Sequence, residues 1–518
     1  MKGKKLIASL LIGALIMSTV GCGGSTTGKD DEKKYGGTIV VPLASDPDII
    51  NGAFTNVREA QMVTNMVFSP IYTYRKGNIK NYLAEDIKFE DSKTLTIKLR
   101  KDLKWHDEKP ITADDLMFTI NTVLDEKQNS PSRQYLIVDG TAVTVEKVDD
   151  LTVKILLPKS SPSFLYNMSK IYPIPKHIFE GEEMVAKSQK NNTPVGSGPF
   201  KFKEWKKGES IVLERYDNYF GGKPKADMIA LKIIPNEASQ EAALNKGEIT
   251  IMKASLEAFE KSKSNDKLQT YTYSEDRLNY IVFNQNKEYM KNADFRKAIS
   301  YALDRKEMIK SAYGEEGSKQ AKSLLVPDAD FYVEDVEGYD YDIKEAKKLL
   351  QESAVTVTKL KLGYNTGRFA HKNYALVTQQ QLKELGIEVE IIPYESKAFF
   401  NTLFSKSTDC DMYVNGYAWG LEPNPYRGMF ETGTFHNQTS YSNKEVDDLW
   451  NKGFVEGDKE ERKEIYKEIQ HLVAEDAPIY TIDYEQNLMV AQKNLKGIEE
   501  AKPISVLLFQ DWDKLYIE

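Results

Sequence analysis

Residues able to do chemistry are scattered along this chain. Five histidines stand at 106, 177, 371, 436 and 471, and no two have the spacing of a metal site. No HExxH or GxSxG motif is present. Gly196-Ser197-Gly198-Pro199 lacks the spacing of a nucleophile elbow, and it lacks the lysine and hydroxyl residue of a phosphate loop. Gly-Pro pairs mark turns, so this run reads as a turn. Asp447-Asp448 lies on a lysine-containing helical segment and reads as a solvated face. The richer signal is 29 tyrosines, many where strands end. A tyrosine offers a flat apolar face and a hydroxyl at low entropy cost, which suits recognition rather than catalysis. No metal or cofactor is expected.

The elements that position those aromatics are clearest between 359 and 419. Lys359–Tyr364, Ile387–Ile392 and Asp411–Tyr417 read as strands. Asn373–Leu385, closed by Gly386, and Ser396–Phe404 read as helices between them. A βαβαβ order predicts parallel strands in an α/β lobe. Ligands of such sheets sit beyond the carboxyl ends of the strands. That rule points to Tyr364-Asn365-Thr366, Tyr394 and Tyr417-Ala418-Trp419, with His371 and His436 flanking. The opening is strand-rich, from Gly37 to Leu43, with a helix over Arg58–Phe68. Thr112 with Asp115, Asp304 with Glu307, and Asp342 with Glu345 predict capped helix starts. Strand character returns at Ile479–Ile482 and Leu507–Phe509, which predicts that the C-terminus rejoins the first lobe.

The ends indicate export. Lys2, Lys4 and Lys5 precede an uncharged run over Leu6–Val20, too short for a spanning helix and typical of a secretory signal. Val20-Gly21-Cys22 resembles the bacterial lipobox, with Thr19 where leucine is usual, so Cys22 is the expected lipidation site. Gly23–Lys34 has no apolar residue and reads as a solvated tether. The net charge is -8, and loss of the three signal lysines makes it -11, which argues against nucleic acid. Cys410, the other cysteine, has no expected disulfide partner and reads as a buried, inert thiol.

Several motifs are collinear with one family. They are Leu83-Ala84-Glu85, the run from Leu99 through Trp105-His106-Asp107 to Asp115, and Val195–Phe200. Asp217–Phe220, Asn284, Phe295–Ala298, Tyr301–Arg305, Tyr441–Asn443 and Glu475–Pro478 follow. Together they resemble the family 5 extracellular solute-binding proteins, the oligopeptide, dipeptide and nickel receptors of ABC importers. Glu108 stands where that family usually has glycine.

The resemblance implies a hinged, two-lobed, periplasmic-binding-protein-like α/β fold with an extra domain and ligand in the interlobe cleft. It divides the chain into a signal (1–21), a tether (22–35), lobe I (36–77, 195–275 and 480–518), the extra domain (78–194) and lobe II (276–479). It implies peptide-like solute, paired along Gly416-Tyr417-Ala418, with Trp419, Asn424, Asn284, Tyr364, Asn365, Tyr394 and Phe54 as further contacts. The aspartate that often holds a peptide's amino group falls here on Trp419 or Gly420, and Glu422 is the only acid nearby. Implied partners are a permease and its ATPase. The implied location is the outer face of a membrane, most naturally of Gram-positive type, with the receptor a monomer held through lipid. Oligosaccharide binding and peptide sensing without transport are the alternative readings.

Overall fold

Alternation builds the first sheet. Ile39, Val41 and Leu43 of the strand Thr38–Leu43 are buried while their neighbours are half-exposed. Each such burial contributes about 1.5–3 kcal/mol. The computed structural model describes residues 35–314 and 317–518. The expected signal, Cys22 and the tether up to 34 lie outside the described residues. Tyr35, expected to end the tether, packs edge-on against Tyr516 at 4.9 Å.

Thr38–Leu43 pairs in parallel with Met228–Ile233, and antiparallel strands Ser210–Arg215 and Phe200–Lys206 complete a four-stranded sheet. Met62, Val63, Met66 and Val67 of the helix Arg58–Val67 join its core. Gly196 and Gly198 allow the next segment to press on that helix's end: a Cβ at Gly196 would lie 1.9 Å from the Val67 carbonyl oxygen. His106 holds the same turn, its Nε2 2.9 Å from the Gly198 carbonyl oxygen, which accounts for this histidine structurally.

A second four-stranded sheet runs antiparallel in the order Ala84–Asp91, Thr94–Leu99, Thr152–Leu156, Thr144–Lys147. The helix Ala113–Leu124 packs on it, and the Thr112 amide donates to Asp115 at 2.9 Å as the capping pattern predicts. Leu95, Ile97, Ile155 and Leu116 share one continuous apolar cluster with the first sheet.

Two long strands lead to the remaining sheet. Leu268–Phe283 and Ile479–Gln492 run antiparallel. At one end Ile479–Gln492 also pairs with Ile251–Lys253, and Tyr273, Met489 and Ala491 enter the first core. At the other end Leu268–Phe283 pairs with Met412–Tyr417, and Leu278, Val282 and Tyr484 enter a second core. The register slips between Ser274 and Leu278, where Asp276 has φ 54°, so the pair bends between the two cores. The return crossing expected at 480 lies inside this continuous strand.

Lys359–Asn365 pairs in parallel with both Glu388–Tyr394 and Met412–Tyr417, as the βαβαβ reading predicts. The helix between the first two starts earlier than expected, at Phe369, and runs to Gln381 before a tight turn closes at Gly386 with φ 73°. Cys410 is buried, as expected.

Asp483, on the strand Ile479–Gln492 of this sheet, is fully buried. It accepts from the Tyr374 hydroxyl at 2.7 Å, from Asn279 Nδ2 at 3.3 Å and from the Ser318 hydroxyl. Burial pushes its carboxyl up to about 7, against the pull of those donors. A carboxyl raised in the native state stabilises the fold fully below its unfolded value near 4, and that contribution is lost as pH rises through 7. Denaturant unfolding at pH 4.5 and pH 8 should show this loss in the parent, on the order of a few kcal/mol. Asp483→Asn should show a smaller pH dependence, and an unchanged slope would remove Asp483 as its source.

Candidate functional site

The strand Met412–Tyr417 ends where the two cores meet. The Gly416 carbonyl accepts from Arg277 Nη2 at 2.7 Å, and a Cβ at Gly416 would lie 2.3 Å from Asn279 Oδ1. Only glycine fits there. Tyr417 is buried, its hydroxyl donates to the Leu324 carbonyl at 2.6 Å, and its ring packs against Tyr280 and Tyr426. It therefore anchors the strand end and does not present its side chain. Ala418 is exposed and Trp419 half-buried. Their backbone groups have no hydrogen-bond partner among the described residues. Gly420, at φ 94°, passes so close to Tyr166 that a Cβ would lie 2.2 Å from its hydroxyl. Asn424 Nδ2 donates to Ser163 Oγ at 3.0 Å, so the 419–424 loop is docked across the second sheet's domain.

Several expected contacts are committed elsewhere. Glu422 is buried, 2.8 Å from Arg462 Nη2, and accepts from the Asn424 amide at 2.7 Å. Burial pushes its carboxyl up while Arg462 opposes that shift. It is consumed by an internal ion pair, which corrects its reading as the acid near a ligand's amino end. Asn284 is also corrected. Its Nδ2 donates to the Ser407 and Cys410 carbonyls at 2.8 and 2.9 Å. The register pairs Asn279 with Gly416 and Phe283 with Met412, so Asn284 lies about 17 Å along the strand from Gly416. Tyr364 is buried in the third apolar cluster and Phe54 in the first. Asn365 Oδ1 fastens its own turn, accepting from the Gly367 amide and the Ser396 hydroxyl at 2.8 Å each. Tyr394 is half-buried, its hydroxyl 3.5 Å from Cys410 Sγ. Of the proposed contacts, Gly416, Ala418, Trp419, Tyr394 and Asn424 keep reachable surface, and the first three lie together at the strand end.

A charged cluster went unread. Arg277 is mostly buried, with Nε 3.5 Å from the Glu485 carboxylate. Arg58 and Lys253 each lie 3.7 Å from Glu275. Arg368 caps the start of the helix Phe369–Gln381, exposed and without an ion pair among the described residues. One turn on, His371 is 2 % exposed, and neither ring nitrogen has a partner. Burial, reinforced by the charges of Arg277 and Arg368, pushes its imidazole down to about 3, so it is neutral. Burial also lowers Lys253, opposed by Glu275 and reinforced by Arg58 and Arg368. Arg58, Lys253, Arg277 and Arg368 thus stand near the carboxylates Glu275 and Glu485, with Asp276 and Asp483 next to those. Arg58, Lys253 and Arg277 each have a carboxylate within 4 Å, which leaves Arg368 as the cation of this group open to an incoming anion. Arg368 stood within reach of sequence reasoning, three residues past Asn365 at a strand end already singled out. Arg277 follows Ser274-Glu275-Asp276, a polar stretch that hides its strand.

Among the described residues no group of three or more His, Cys, Asp or Glu could hold a metal, and no helix is long and apolar enough to cross a membrane. The chain is 69 % identical to AppA of Clostridium difficile over 93 % of this chain and all of that one, with a TM-score of 0.86. It is 39 % identical to the ABC transporter substrate binding protein CtaP of Listeria monocytogenes, over 93 % of this chain and all of that one (TM-score 0.88). Similarity extends to the oligopeptide-binding protein AppA of Bacillus subtilis, solved with a nonapeptide, at 27 % identity over 94 % and 99 % of the two chains (TM-score 0.69). Residues 78–438 match the model of the bacterial extracellular solute-binding proteins, family 5, whose members are binding proteins with the two-lobed periplasmic-binding fold. This chain belongs to that family.

Proposed function

We propose that this protein captures peptides between its two lobes and delivers them to an ABC importer, without chemistry on the ligand. The carrying observation is the pairing of a strand end with free backbone groups, at Ala418–Trp419, with a cation cluster in which Arg368 has no ion pair among the described residues. Extended peptide satisfies both: its backbone takes the free hydrogen-bonding groups and its carboxyl end takes the charge. The nonapeptide in the Bacillus subtilis relative supports this reading. The peptide's amino end is not clamped by Glu422, which is already paired with Arg462.

Lobe II, in this reading, turns on the bend at 274–278, and closure follows because bound peptide touches both sides of it. Cys22 carries the lipid that holds the receptor at the outer face of the membrane, beside the permease. Calorimetric titration with one peptide in free-carboxyl and amidated forms tests the site. Amidation should weaken binding by about tenfold or more, the scale of a lost charge-assisted contact. Equal affinities would remove the carboxyl assignment, and failure of every peptide to bind would sink the peptide reading.

A further inference from the structure

Five aromatic rings run outward from the strand end in unbroken contact. Trp419 meets His436 edge-on at 5.2 Å. His436 meets Phe404 and Phe435 at 5.5 and 5.2 Å. Phe404 stacks on Phe435 at 5.2 Å and on Phe400 at 6.0 Å, with interplanar angles of 24° and 14°. Phe435 is 66 % exposed and Phe400 41 % exposed. Isolated exposed apolar residues are ordinary, but contiguous ones mark binding surfaces.

The chain holds these rings in place. Phe400 and Phe404 are four residues apart on the helix Ser396–Phe404 and so share a face. Phe399, one position off, turns inward and is fully buried. The turn carrying Phe435 and His436 is fastened on both sides. Thr434 Oγ1 donates to the Glu431 carbonyl at 3.0 Å, and buried Asn437 donates to the Glu431 and Tyr441 carbonyls at 3.0 and 2.8 Å. Pre-organised rings need little ordering when a ligand arrives.

We propose that Phe400, Phe404, Phe435 and His436 form an aromatic shelf that extends the Trp419 site and receives a ring-bearing side chain of the bound peptide. The inference rests on the peptide reading above and names a substrate preference within it. Offset and edge-on ring contacts are what an open ladder of this geometry offers, and a phenylalanine, tyrosine or tryptophan side chain supplies them. The shelf leaves peptide length and the remaining side chains unrestricted.

Calorimetric titration of the full chain with an alanine-based nonapeptide, and with the set carrying one phenylalanine at each position in turn, tests the shelf. At least one member of the set should bind about tenfold more tightly than the all-alanine peptide. In Phe400→Ser/Phe435→Ser that preference should fall to within about twofold, with affinity for the all-alanine peptide unchanged. Phe435→Ser alone, at the most exposed ring, should lose part of the preference and serves where the double variant folds poorly. A parent without aromatic preference, a preference that survives both variants, or an equal loss for all peptides would overturn the shelf. If the all-alanine peptide binds while aromatic preference is absent, the shelf fails and the peptide reading stands. If no peptide binds the parent, both fail.

Discussion

Glu422→Ala should lower the free energy of unfolding by about 3–5 kcal/mol, the usual cost of leaving a buried charge without its partner. The Arg462 guanidinium lies 2.8 Å from Glu422 in a site where both side chains are almost fully buried. Its plane also lies over Phe331 and Tyr466, each ring centre 5.3 Å away. Removing the carboxylate leaves a buried cation among aromatic rings without its anionic partner. Glu422→Leu combined with Arg462→Met should recover much of the loss, because desolvation of the pair offsets most of its mutual attraction. Urea unfolding of the three variants reads this directly. Affinity for peptide in the folded Glu422→Ala protein should stay within about twofold of the parent, since Glu422 is buried in its pair with Arg462. A variant of parental stability whose peptide affinity collapses would return Glu422 to the binding site.

Arg368→Ala should weaken binding of a free-carboxyl peptide by roughly 30-fold or more, as truncating one partner of a desolvated charge pair costs about 2–5 kcal/mol. Its exposed position and lack of an internal partner predict little change in melting temperature. The amidated peptide should lose nothing further in this variant, because the group that Arg368 contacts is already absent. That coupling separates a direct contact from a general change of field, which would weaken both peptides alike. Arg368→Lys should retain part of the affinity, keeping the charge while losing the planar fork. Equal losses for both peptides would assign the effect to the cluster's field instead.

The α/β part of the fold was legible because its parallel strands are short alternating or apolar stretches separated by helices with their own period. Lys359–Asn365, Glu388–Tyr394 and Met412–Tyr417 stand close to where the pattern puts them. The long strands were read only in part. Gln269–Ser274 alternates only Tyr271 and Tyr273 with polar residues, too short and polar a pattern to stand out, and its partner strand reveals it. The site was legible as a place and less so as a set of side chains. Strand ends pointed to the 416–419 segment, but a strand end does not say whether its tyrosine looks outward. Tyr417 turns in to Leu324, 93 residues earlier in sequence. Glu422 looked free because its partner, Arg462, arrives on another helix 40 residues later. Asn284 belongs to a matching motif, yet its register holds it at the far end of the strand.

Mass spectrometry of the solute released when freshly purified protein is denatured tests capture of peptides most directly. Weak sequence specificity through backbone groups predicts a mixture of peptides with varied side chains and free carboxyl ends. An oligosaccharide, or a single non-peptide solute, recovered in stoichiometric amount would contradict the account.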